Sequence, residues 1–234
     1  MLLRVVAALG SSVGGFIARN LERQEEADFI LERDVIMAGF VDAIKGDPQL
    51  SDEEAEEILN EFCNNTGIPI GETQAGKGAL PWNHSQNLGA IGVTGTSAAN
   101  IISKDADLVI CIGTRLSDFT TASKTLFQNP DVKFLSINVS SFDAHKHSSA
   151  SLIGDAKKCL ERLNHLLKND GFSISVKYRA EIKQHKNDWN QEVDRIFNLD
   201  NQPTVSQGEV IGVISNCMNE DDVVVCAAGS LPGD

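Results

Sequence analysis

The sequence predicts an α/β fold, a parallel β-sheet with helices on both faces. Two observations carry this. Leu108-Val-Ile-Cys-Ile112 and Lys133-Phe-Leu-Ser-Ile-Asn-Val139 are strand-length runs that are apolar on both strand faces, the pattern of strands buried from two sides. Helical periodicities lie between and around them, and parallel neighbours need crossovers of this kind. The 234 residues are 41% hydrophobic and 23% charged, a composition that excludes a wholly disordered chain.

Taken in order, residues 1–50 read as a divergent, mostly helical N-terminal segment. Its apolar start, Met1 to Ala18, is interrupted by Arg4 and falls short of the ~20 apolar residues a spanning helix needs. Ser51-Asp-Glu-Glu54 has capping-box spacing. Ala55, Ile58, Leu59, Phe62 and Cys63 then recur at helical spacing, so an amphipathic helix follows, with Gly67 as its C-cap. Ile68-Pro-Ile70 reads as a short strand entering a glycine-rich loop. A helix is expected from Thr96 to Lys104, the strand Leu108–Ile112 next, and then a loop with a polar helix between Thr114 and Gln128. Strands at 133–139 and 151–153 lead to a helix from Asp155 to Lys168, whose stripe is Cys159, Leu160, Leu163, Leu166 and Leu167, with Gly171 beyond it. A polar helix over 176–198 carries Trp189, Val193, Ile196 and Phe197 as anchors. Asp200 to Thr204 is a linker, Val210 to Cys217 a helix, and Asp222-Val-Val-Val-Cys226 a buried strand that opens a new βα unit. The expected organisation is 1–50, a central domain at 51–200, and a linker plus the first βα unit of a further, truncated domain at 201–234.

Twenty basic against thirty-three acidic residues leave a formal charge of −13, which argues against nucleic acid and anionic membranes as partners. From Leu21 to Phe62 there are fourteen acidic and three basic residues; this is either a solvated helical face or a surface for a basic partner. Five cysteines without a CxxC pair fit a reduced, cytoplasmic protein rather than a disulfide framework or zinc site.

Three places invite chemistry, each with a plainer alternative. The glycines from Gly71 to Gly95 precede a helix start, where backbone amides can hold an anion; the same glycines also suit a tight, packed crossover. Gly113, Thr114 and Arg115, with Asp118, Thr120, Thr121 and Lys124 beyond, follow a central strand at the edge where open sheets bind ligands. There Ser117 or Asp118 could equally be a helix cap, with Arg115 paired to an acid. His145-Lys-His147 could chelate loosely or lie on a solvated loop. No nucleophile elbow is present, so a hydrolytic triad has no support.

Several runs together resemble one family. Glu72-Thr-Gln-Ala-Gly-Lys-Gly-Ala-Leu-Pro-Trp-Asn-His84, Asn87-Leu-Gly-Ala-Ile-Gly-Val-Thr-Gly-Thr96, Ala106-Asp-Leu108, Gly113-Thr-Arg115, Phe134 to Asn138 and Gly154-Asp-Ala-Lys157 look like the Rossmann-like central domain of thiamine-diphosphate enzymes of the acetolactate synthase group. Glu72 to Lys77, Asp118 to Lys124 with Phe127 to Phe134, and Ala227 to Asp234 narrow the resemblance to the trihydroxycyclohexanedione hydrolase branch, which opens a cyclic dione in inositol breakdown.

The resemblance implies thiamine diphosphate and Mg²⁺ held between two domains that flank the central one, usually from different subunits. It also implies an activating glutamate in the first flanking domain and a GDG motif with a downstream Asn in the second. Neither Gly46-Asp-Pro48 nor Gly154-Asp-Ala156 continues as GDG, so no catalytic residue and no metal ligand is assigned, and the chain alone is expected to be inactive. Gly229, Ser230 and Leu231 would lie near the diphosphate. Gly113, Thr114 and Arg115 would line a nucleotide edge if FAD, ADP or NAD bound. Partners implied are a second copy or the missing catalytic domains. Alternatives are a nucleotide-binding module and a non-catalytic interaction subunit.

Overall fold

The computed structural model describes residues 35–38, 52–219 and 222–225. Six parallel strands form one sheet: β1 (Val35–Ala38), β2 (Ile70–Glu72), β3 (Asn87–Ala90), β4 (Leu108–Ile112), β5 (Lys133–Asn138) and β6 (Ala150–Ile153). They lie in the order β3-β2-β1-β4-β5-β6. The order therefore runs outward in both directions from β1 and β4, which pair from Val35 with Leu108 to Ala38 with Cys111. The crevice at the carboxyl ends of such a pair is where open α/β sheets take ligands.

The helices are α1 (Asp52–Thr66), α2 (Ser97–Lys104), α3 (Ser141–Ala144), α4 (Ala156–Asn169), α5 (Val176–Phe197) and α6 (Gln207–Cys217). A 3₁₀ turn spans Lys146–Ser148. Helix α1 packs against α4, α2 against α5, and α5 against α6. The expected stripes face the core: Leu59, Phe62 and Cys63 from α1, and Leu160, Leu163 and Leu167 from α4, are buried. Every residue of β4 is buried as well. Local chemistry sets the ends of these helices. Thr96 caps α2 by accepting from the Ala99 amide, and Asp155 caps α4 by accepting from Lys158. Gly67, at φ +75°, closes α1 with its amide on the Cys63 carbonyl at 2.7 Å. Helix α6 crosses α5 closely because Gly208 and Gly212 face Ile196 and Phe197; a Cβ at either glycine would come within 2.2 or 2.6 Å of those side chains.

Two expected elements are absent and two unexpected ones present. The polar helix between Thr114 and Gln128 does not form. Residues 118–125 instead make successive turns in which Ala122, Ser123 and Lys124 have φ of 48°, 54° and 65°. The Ser117, Thr121 and Thr125 hydroxyls bond to nearby backbone groups, offering the chain a local alternative to a helix ladder. Residues 222–225 are not a buried strand: Val223 and Val225 are 85% and 90% exposed, and no described strand pairs with them. A parallel strand needs ladder partners, and apolar composition alone does not supply them. Strand β3 arises inside the stretch read as a glycine-rich loop, and β1 inside the N-terminal segment read as helical. The cap expected at Ser51 lies outside the described residues.

Candidate functional site

The carboxyl edge of the sheet gathers most of the residues singled out by sequence. Gly113 leaves β4 at φ +65° and donates to the Ile137 carbonyl at 2.9 Å. Thr114 is buried; its hydroxyl accepts from the Leu116 amide at 3.2 Å, and its carbonyl accepts from Asn138 Nδ2 at 3.4 Å. Arg115 is exposed. Thr114 and Arg115 line a cleft with Cys111, Phe134, Asp143, Lys146 and Ser149. Lys146 pairs with Asp143 at 2.9 Å, and that contact, with Arg115 near by, holds the Asp143 carboxyl below its usual range. Even with open solvent counted, the empty space in the cleft is about 190 Å³, below the roughly 300–1,000 Å³ of ordinary small-molecule pockets. Gly229, Ser230 and Leu231 lie outside the described residues.

The glycine segment before α2 is packed rather than open. Gly92 has φ +108°, and a Cβ there would meet the Phe119 carbonyl oxygen at 2.3 Å, so only glycine fits. Asn100 accepts from the Gly92 amide and donates to the Gly92 carbonyl, both at 3.0 Å. Gly95 donates to Gly92, and Thr96 to Ala90. Protein acceptors thus take up these amides, which leaves the packed crossover as the reading that the geometry supports. Asp118 accepts the Ser123 amide through its carbonyl at 2.7 Å. His145 Nδ1 lies 2.7 Å from the Ser141 carbonyl, and His147 stacks near Phe134. Among the described residues no three His, Cys, Asp or Glu side chains gather to hold a metal. Cys63 and Cys111 are buried, and burial pushes both thiols up, Cys111 to about 12, the environment of a structural cysteine.

One polar cluster has no sequence signal. Glu72, at the end of β2, is 5% exposed. Its Oε1 accepts from the amides of Gly78 (3.2 Å) and Leu80 (3.4 Å) and from Asn87 Nδ2 (3.3 Å). Burial raises its pKa, and these hydrogen bonds pull against that. Lys186, half-buried on α5, donates to the carbonyls of Trp82 at 3.2 Å, Asn87 at 2.8 Å and His84. Desolvation lowers its pKa, and the Glu72 charge raises it again. These two residues lie far apart in the chain, and only the fold joins them.

Every buried side-chain nitrogen and oxygen among the described residues has a partner within the protein. Among the described residues no cluster of His, Cys, Asp or Glu side chains suits Mg²⁺, and the cleft at Thr114 and Arg115 is too small for thiamine diphosphate.

Residues 43–163 match the family model for the central domain of thiamine pyrophosphate enzymes. The chain is 46% identical over 204 residues to a protein of Clostridium botulinum (strain Alaska E43) named 3D-(3,5/4)-trihydroxycyclohexane-1,2-dione hydrolase, an alignment covering 77% of this chain and 31% of that one. A Clostridium perfringens protein (strain ATCC 13124) of the same name is 42% identical over 241 residues, covering 93% and 37%. A Bacillus cereus protein (strain AH820), again of that name, is 45% identical over 205 residues, covering 77% and 32%. The matched part thus spans about a third of the length of these curated relatives. The strand order, the buried parallel strands and this match agree: the chain belongs to the thiamine pyrophosphate enzyme family, as a carrier of its central domain.

Proposed function

We propose that this chain is the middle scaffold of a thiamine-diphosphate-dependent hydrolase that opens a cyclic 1,2-dione by C–C cleavage in inositol breakdown. The observation that carries this is the 46% identity over 204 residues to a relative bearing that enzyme's name. On this reading the Rossmann-like sheet spaces and orients catalytic domains that grip the coenzyme and Mg²⁺, supplied by flanking sequence or by a second copy. On the same reading, proton transfer and metal binding fall to those catalytic domains. The described residues contribute the sheet that forms their platform. The cytoplasm as place of action belongs to the same reading and is supported by the odd cysteine count and the buried thiols Cys63 and Cys111.

Ring opening of the dione by the purified chain, with thiamine diphosphate and Mg²⁺ added, tests the proposal. No turnover above a coenzyme-free control is expected, and co-expression with the remaining parts of the clostridial relative should restore it. Robust turnover by the chain alone, or no restoration in the reconstituted mixture, would overturn the scaffold reading.

A further inference from the structure

The loop over 73–86 joins β2 to its parallel neighbour β3 and meets α5 at Lys186. A connection of this length ordinarily carries high conformational entropy. Here its backbone is tied on both sides by ionisable side chains, the buried Glu72 and the half-buried Lys186. Glu72 accepts from the amides of Gly78 and Leu80 on the first half. Lys186 donates to the carbonyls of Trp82, His84 and Asn87 on the second half. A protonated lysine has three N–H donors, and three carbonyls take them: Trp82 and His84 in the loop and Asn87 at the start of β3. Asn87 Nδ2 bridges the halves, donating to Glu72 and to the Leu80 carbonyl at 3.0 Å. Between these anchors the loop holds Trp82 81% exposed, an aromatic side chain kept in water by backbone that is fixed on either side.

We propose that Lys186, backed by Glu72, is a positioning residue that clamps loop 73–86 to helix α5 and so presents Trp82 outward on a fixed backbone. The clamp joins the sheet to the long helix by charge-assisted hydrogen bonds, which are stronger than neutral ones. Removing the cation leaves the carbonyls of Trp82, His84 and Asn87 without that donor and takes a nearby positive charge away from the buried Glu72. The loop should then open locally while the apolar strands stay closed. This inference stands independently of the ring-opening reading, because it is measured on the folded chain without substrate.

Hydrogen exchange in the full chain tests it, read at the amides of Gly78, Leu80, His84 and Asn87, with the β4 amides as internal reference. Lys186→Met should speed exchange in the loop about tenfold and leave β4 unchanged. Lys186→Arg, which keeps a donor cation, should recover most of the protection. Adding Glu72→Gln to Lys186→Met should recover part of it, since the uncompensated carboxylate is then gone. Unchanged loop exchange in Lys186→Met, loss shared equally by β4, or no recovery in the arginine variant would overturn the clamp. If Lys186→Met does not fold, Lys186→Gln against Lys186→Arg decides on the same amides: selective loop loss in the glutamine variant supports the clamp, and equal protection in the two overturns it.

Discussion

The two sides of the sheet are held together by different physics. Strands β4, β5 and β6 are joined by apolar burial: Val109, Ile112 and Ile137 are fully inaccessible to solvent, and the ladder between β4 and β5 runs unbroken from Leu108 to Ile112. Strands β2 and β3 are short, and their register shifts between Ile70 and Glu72. Around them Glu72, Thr73, Gln86 and Asn87 are buried polar residues: Glu72 is bonded by loop amides and Asn87, Thr73 by the Gly76 amide, and Gln86 by the Ser85 hydroxyl. The first side draws on non-directional attraction that survives small adjustments in geometry. The second depends on each donor meeting its acceptor, so a single removed group leaves an orphan in a dry place.

That contrast can be tested by substitution. The largest loss is expected on the apolar side, where Ile137→Ala should cost about 3 kcal/mol through lost transfer energy and a residual cavity; urea unfolding measures it, and a cost under ~1 kcal/mol would deny that burial governs this side. On the polar side Asn100→Ala removes both bonds to Gly92 while creating little cavity, and about 1–2 kcal/mol is expected. A cost equal to that at Ile137 would erase the distinction between the sides. The smallest effect concerns the start of α6. Glu209 accepts from the amides of Ser206 at 2.6 Å and Asn201 at 2.9 Å, which hold its carboxyl down at about 2. Its folded pKa lies below the unfolded value of ~4.3, so its contribution is full above that pH and fades as pH falls toward 2. Glu209→Gln should therefore flatten the dependence of Tm on pH between about 5 and 2. Parallel profiles for the two proteins would show that this bond network contributes nothing.

What the sequence made legible follows the same division. Leu108–Ile112, the 133–138 strand and the α4 stripe could be read because apolar periodicity reports burial directly. Strand β3, Asn87-Leu-Gly-Ala90, carries a glycine and a polar residue and is a strand only because its neighbours and Thr96 hold it there. Strand β1 sits among acidic residues that suggest a solvated surface. The 118–125 stretch reads as helical until its hydroxyls are seen to bond locally. Of the candidate site, Thr114 and Arg115 could be placed at the sheet edge from β4 alone. Lys186 could not, for in Lys183-Gln-His-Lys-Asn-Asp188 it resembles any other charge on a solvated helix.

The position of β1 has a practical bearing. It is the one described strand that is hydrogen-bonded to both the pair β3-β2 and the trio β4-β5-β6. A polypeptide trimmed to begin at residue 51, where the well-marked amphipathic helix starts, would split the sheet into two unjoined ribbons, each with a raw backbone margin facing the other. Such margins recruit strands from neighbouring molecules, so anyone shortening this protein should leave the four residues from Val35 in place.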